Sequence, residues 1–133
     1  MNDFRWLCPL SSYNKHKVEY IIVGGYALAF HGVPRYTGDI DIFVKSEGEN
    51  AQHILLALEG FGFGALGLTA TDFEGPDQII QLGFPPVRID IITSISGVSW
   101  DDADPNAVEG RYGDVPVRFI GRQQLILNKR ASG

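Results

Sequence analysis

The sequence holds a single cysteine, Cys8, among 133 residues. An internal disulfide is therefore excluded, and this usage fits a reducing compartment. No apolar run is long enough to cross a bilayer. The opening residues, MNDFRWLCPLSS, hold no extended apolar segment and no basic leader, so no secretory signal is expected. The expected location is the cytoplasm, with no membrane partner. Basic residues are scarce: 11 Lys and Arg stand against 16 Asp and Glu, for a formal charge of −5. Gripping nucleic acid by bulk attraction needs a surplus of Lys and Arg. Nucleic acid is thus the less favoured partner, and a cationic small molecule or a bound metal suits the balance better. Internal repeats and low-complexity segments are absent. The histidines, His16, His31 and His53, are scattered without zinc spacing, so structural roles are expected for them.

What is present is ordinary for a globular chain, with 44% apolar and 20% charged residues. The length predicts one domain over residues 1–133 with one adequate core. Residues 9–16 read as a short helix opened by Pro9. Tyr20 to Val23 is a short apolar strand, broken by Gly24 and Gly25. Tyr26 to His31 has helical character and ends at Gly32-Val-Pro34. Residues 35–38 read as a loop, and Ile40 to Val44 as the second strand. Residues 49–59 form an amphipathic helix with Ala51, Ile54, Leu55 and Leu58 at helical spacing. Residues 60–76 are Gly-rich and irregular. Ile79 to Phe84 and Val87 to Thr93 read as strands around Pro85-Pro86. Residues 101–110 read as an acidic loop or short helix, Val115 to Ile120 as a last strand, and Gln123 to Arg130 as a closing helix. Without a regular βαβ rhythm, the expected class is α+β: a small mixed β-sheet packed against helices.

Against that background, TGDIDIFV at residues 37–44 is unusual. On a strand, Asp39 and Asp41 share one face while Ile40 and Ile42 share the other. Like charges side by side repel, and burying them is costly. A second feature is the Val23-Gly24-Gly25-Tyr26 turn between a strand and a helix. Glycines there let a ligand approach the backbone, and the free N–H groups of a helix start suit phosphate. A third is Val87-Arg-Ile-Asp-Ile-Ile92, where Asp90 again stands opposite an apolar face. Asp90 could pair with Arg88 on its own strand face, although that would leave the other two acids unexplained. A divalent cation would offset the repulsion. Mg²⁺ prefers oxygen ligands and is usually held by carboxylates together with substrate phosphates.

The segment VGGYALAFHGVPRYTGDIDIFV resembles the nucleotidyltransferase superfamily, whose best-known fold relative is DNA polymerase beta. The shared pattern is an apolar residue, Gly, then Gly or Ser, a spacer, and an Asp-apolar-Asp strand. The Ala-Leu-Ala, His-Gly and Arg-Tyr-Thr-Gly details resemble small stand-alone bacterial members related to abortive-infection toxins. The resemblance covers residues 18–44 closely, and the tail from Phe119 to Ala131 more weakly. It implies transfer of a nucleoside monophosphate from a nucleoside triphosphate to an acceptor hydroxyl, with pyrophosphate leaving. It implies two Mg²⁺ ions, or Mn²⁺ in their place. Asp39 and Asp41 would hold the metal ions that bind the triphosphate, and Asp90 would complete the catalytic metal site. Gly24 and Gly25 would cradle the β- and γ-phosphates.

Arg35 and Thr37 are candidate triphosphate contacts, or else loop residues that fix the turn. Lys129 is a further candidate, against a solvated helix end. Relatives of this type continue past the Lys-Arg-Ala-Ser-Gly end, so a truncated or naturally short C-terminus is expected. No second domain is foreseen to bind the acceptor. A small molecule is the favoured acceptor, and a homodimer or a protein partner would complete the open half of the cleft. The alternative reading is a catalytically silent module of the same fold that binds nucleotide, metal or a partner. Gly62 to Gly67 matches G-x-G-x-x-G but follows a helix rather than a strand, so it reads as a loop. Trp100 with Asp101, Asp102 and Asp104 lacks calcium-loop spacing and reads as a solvated loop.

Overall fold

The sheet begins at Tyr20–Val23 (β1), where every side chain is buried. A strand apolar on both faces belongs in the middle of a sheet, and β1 lies there, flanked by β2 (Asp39–Val44) and β6 (Val115–Phe119). The computed structural model describes residues 10–32, 39–60, 67–84, 87–112 and 114–132; for residues 39, 60, 83, 84 and 87 it describes the backbone alone. The other strands are β3 (Ile79–Phe84), β4 (Val87–Ile92) and β5 (Val108–Tyr112). The helices are α1 (Leu10–Lys15), α2 (Gly24–Phe30), α3 (Gly48–Gly60), α4 (Trp100–Ala103) and α5 (Arg122–Ser132). Short 3₁₀ turns occupy Ala70–Phe73 and Asp104–Asn106.

The six strands run in the order β3-β4-β2-β1-β6-β5. β1 pairs antiparallel with β2 and parallel with β6; β2 pairs parallel with β4; the outer pairs β3/β4 and β5/β6 are antiparallel. This is the expected α+β class, with a mixed sheet. One sheet face carries Tyr20, Ile22, Ile40, Ile42, Ile89 and Ile91, all buried. α1 closes on it through the edge contact of Tyr13 with Tyr20, and Ser12 Oγ donates to the Ala57 carbonyl of α3 at 2.8 Å. On the other face Trp100 of α4 meets the ring of Phe43 edge-on. No described helix is long and apolar enough to cross a membrane.

Most elements fall within one or two residues of the sequence expectation, and three differences bear on the site or the sheet edge. α2 starts at Gly24 rather than Tyr26, because the chain turns at a positive φ directly out of β1. β2 starts at Asp39, one residue earlier than its apolar run. β5 lies partly within the segment expected to be an acidic loop or short helix. Its sequence, VEGRY, has a central glycine and mixed charge, so it shows no apolar alternation. It is an edge strand, where burial does not impose that alternation. Glycine is required at position 110: a Cβ there would lie 2.7 Å from the Phe30 ring and 2.9 Å from the Phe119 ring. The G-x-G-x-x-G segment lies outside the described residues except for Gly67.

Asn50 fastens α3 to the sheet. It is 1% exposed; its Oδ1 accepts the Glu19 N–H at 2.7 Å, and its Nδ2 donates to the carbonyls of Glu19 and Lys45 at 3.0 and 2.8 Å. Asn50→Leu strands these backbone groups and is expected to lower unfolding free energy by about 3 kcal/mol in urea titration. Tyr13 is the opposite case. Its hydroxyl is buried with no hydrogen-bond partner among the described residues, and burial, aided by the nearby Tyr20, pushes its ionisation up beyond the ordinary phenol range. Tyr13→Phe is expected to be neutral or stabilising by up to about 1 kcal/mol in the same measurement.

Candidate functional site

The opposite strand register fixes where the acids stand. Asp41 pairs with Val23 of β1 on one side and with Asp90 of β4 on the other. Partners in register share a sheet face, so the Asp41 and Asp90 side chains stand side by side on strands about 5 Å apart. Their face is the one opposite Ile40, Ile42, Ile89 and Ile91. Asp39 is the register partner of Arg88 rather than of an acid. Arg88, half-buried, therefore lies across from the Asp39 position of β2, two residues along β4 from Asp90.

Neither described carboxylate is simply solvated. Asp41 is half-buried. Asp90 is also half-buried, and its Oδ1 is fully shielded yet has no hydrogen-bond partner among the described residues. A buried carboxylate oxygen without a donor is costly, and a like charge on the neighbouring strand adds to that cost. An oxygen-seeking cation resolves both at once, and carboxylate oxygens are the donors that Mg²⁺ and Mn²⁺ prefer. The donor set therefore fits such an ion. Among the described residues no group of three or more His, Cys, Asp or Glu side chains converges. The described pair is Asp41 with Asp90.

Gly24 presses on this pair. Its φ is +70°, where side chains are strained, and a Cβ would overlap Oδ2 of Asp41. The glycine turn and the first carboxylate of the pair are thus in direct contact, joined by the Val23–Asp41 register. Gly25 follows as the second residue of α2, whose start receives no side-chain cap from Val23. At the other end of α2, His31 Nε2–H donates to the Ile120 carbonyl at 2.7 Å, fixing the helix to the end of β6. His53 lies 3.2 Å from the Lys17 carbonyl through Nδ1. Both contacts fit the structural roles expected of these histidines.

Lys129 is exposed in the last turn of α5, and among the described residues its side chain makes no ion pair. The neighbouring Asn128 ties this helix to the carbonyl of Ser96 at 2.9 Å. Arg35 and Thr37 lie outside the described residues. Of the loop or short helix expected for the acidic segment, Trp100–Ala103 takes the short helix: Ser99 Oγ accepts the Asp102 N–H, and Asp104 pairs with Arg118 at 2.7 Å. One residue was not singled out in the sequence. Gln81 of β3 is the register partner of Asp90, exposed, and on the same face as the acids. Its strand neighbours are apolar and polar without a motif, so only pairing across the sheet reveals it.

No family model matches the sequence, and no curated protein matches it. Among solved structures, the chain is similar to one from Thermotoga maritima provisionally assigned as a nucleotidyltransferase. The two share 15% identity with a TM-score of 0.59, over 92% of this chain and 79% of that one. The likeness shows the fold: this chain has the α+β architecture of that nucleotidyltransferase-like structure.

Asp90→Asn removes the like charge beside Asp41 in the metal-free protein, while a neutral amide atom still occupies the buried Oδ1 position. The substitution is expected to raise unfolding free energy by about 1 kcal/mol in urea with a chelator present. Gly24→Ala acts the other way, through positive-φ strain and overlap with Asp41, and is expected to cost about 2 kcal/mol or more.

Proposed function

We propose that the chain is a nucleotidyltransferase of the small stand-alone bacterial type related to abortive-infection toxins. It would act in the cytoplasm and move a nucleoside monophosphate from a nucleoside triphosphate to an acceptor hydroxyl. The observation that carries this reading is Asp41 beside Asp90, with Asp90 Oδ1 buried and unpartnered and Gly24 against Asp41. A structural sheet face has no use for that arrangement, whereas oxygen ligands for a divalent cation need it. Asp41 and Asp90, with Asp39 on the same strand as Asp41, are the residues that would hold the ions. Bound Mg²⁺ or Mn²⁺ would supply neutralisation of the triphosphate and carboxylate charge.

The chain's own residues then have distinct tasks. Gly24 and Gly25 leave the backbone bare beside the carboxylates, so the triphosphate can approach the N–H groups of the turn. Arg35, Thr37 and Lys129 are the proposed additional triphosphate contacts, through donors that suit phosphate oxygens. Asp90 is the residue assigned to help activate the acceptor, its carboxylate taking the proton of the acceptor hydroxyl. The acceptor oxygen forms a bond to the α-phosphorus, the bond from that phosphorus to the bridging oxygen breaks, and pyrophosphate departs with the electron pair. Positioning and charge complementarity carry most of the rate. The acidic balance of the chain favours a cationic small molecule as acceptor over nucleic acid.

Incubating the protein with each of the four nucleoside triphosphates, Mg²⁺ and a panel of hydroxyl acceptors tests this by mass spectrometry. One acceptor should gain a nucleoside monophosphate, and Asp41→Asn should lower that yield by at least about a thousandfold while keeping its circular dichroism. Unchanged transfer by Asp41→Asn contradicts the reading. Nucleotide binding with no transfer to any acceptor would favour the silent binding module instead.

A further inference from the structure

The sheet ends on β5, and among the described residues no strand pairs with its outer edge. Exposed edges invite pairing unless they are blocked. This edge reads Val108-Glu109-Gly110-Arg111-Tyr112, which is complementary to itself when reversed. We infer that β5 is the interface of a symmetric homodimer, in which the edge strands of two copies pair antiparallel about Gly110.

Backbone geometry allows this register. Tyr112 and Val115 are partners with two residues between them, so they form a hydrogen-bonded pair closing the β5/β6 hairpin. Alternation along the ladder directs Gly110 and Val108 toward β6 as well. The N–H and C=O groups of Glu109 and Arg111 therefore point to the free edge. Pairing about Gly110 sets Glu109 opposite the partner's Arg111, and Arg111 opposite the partner's Glu109, as hydrogen-bonded pairs. The two copies of Gly110 then meet at a non-hydrogen-bonded position, where Cα atoms come to about 4.5 Å and a missing side chain helps most.

The side chains agree with the backbone. Glu109 and Arg111 are exposed on one face. Arg118, the neighbour of Glu109 across β5/β6, is already engaged by Asp104 at 2.7 Å. Arg111 spends one donor, Nη1, on the Asp114 carbonyl at 3.0 Å. On the other face Val108 and Phe30 are large apolar residues left 39% and 40% exposed. The Phe30 ring stacks on Phe119 at a centroid distance of 4.1 Å and lies over Gly110. In the dimer Val108 would face the partner's Tyr112, and the two Phe30 rings would approach each other across the two-fold axis. One face of the junction would be apolar and the other ionic.

Charge also selects the register. A two-fold axis perpendicular to the sheet keeps faces matched only for even shifts. Moving the centre by one residue, to Glu109 or to Arg111, places like charges directly opposite each other, which is unfavourable. β6 and β1 separate β5 from β2, so Asp41 lies roughly 15 Å from the junction at a strand spacing of about 4.8 Å. The carboxylate row stays open in each copy, and the dimer stands or falls independently of the proposed reaction.

Sedimentation velocity of the full chain, without nucleotide, tests the proposal from roughly micromolar to several hundred micromolar, the range of modest interfaces. The wild type should show a concentration-dependent species of twice the 14.6 kDa chain mass. Glu109→Arg and Arg111→Glu should each weaken association by at least about tenfold, and the double exchange should restore it. Both sites are exposed, and an unchanged unfolding midpoint would show that each variant folds. A wild type that stays monomeric throughout, a dimer indifferent to the single exchanges, or a double exchange no better than the singles would overturn the proposal.

Discussion

The in-register parallel pairing of β2 with β4 is the constraint on which the rest depends. It sets Asp41 beside Asp90, and it is fixed from the other side of the sheet. Ile40, Ile42, Ile89 and Ile91 are all buried there, and a slip of one residue would drive the acids into the core and the isoleucines out of it. The apolar face thus positions the polar one. β1 adds the second fixed edge: pairing Val23 with Asp41 delivers the turn at Gly24 directly onto the Asp41 carboxylate.

This arrangement works against stability locally and is tolerated because the surroundings are consistent. The buried Asp90 Oδ1 without a donor is an exception to the way other buried polar groups here are treated. Asn50, by contrast, satisfies both ends of its amide, and Thr93 Oγ1 accepts the Gln78 N–H at 2.9 Å. Departures from local consistency of this kind concentrate where a protein binds or reacts. Tyr13 is the other orphan among the described residues, but it points from α1 into the core against Tyr20 of β1, where no ligand chemistry is suggested.

Much of this was legible in the chain itself. The Asp-Ile-Asp-Ile alternation sorted the faces of β2 correctly, because period-two patterning is local and a strand with one buried face enforces it. The burial of Tyr20 to Val23 followed from four apolar residues in a row. What stayed hidden is mostly long-range. No local rule states that Asp90 stands in register with Asp41, or that Gln81 joins the same row. Those are facts of register between distant segments. β5 was missed for a different reason: an edge strand with charged residues and a glycine carries no burial pattern, and its glycine answers to the rings of Phe30 and Phe119 from elsewhere in the chain. The early start of α2 at Gly24 was hidden because glycine argues against a helix by propensity, yet a positive φ at that turn favours it.

The most direct measurement is calorimetric titration of the wild-type chain with ATP, GTP, CTP and UTP in Mg²⁺, with Asp39→Asn/Asp41→Asn as control. A carboxylate metal site predicts binding of at least one triphosphate that requires the metal and is lost in the control. Failure to bind any of the four, or binding that survives in the control or in chelator, would contradict it.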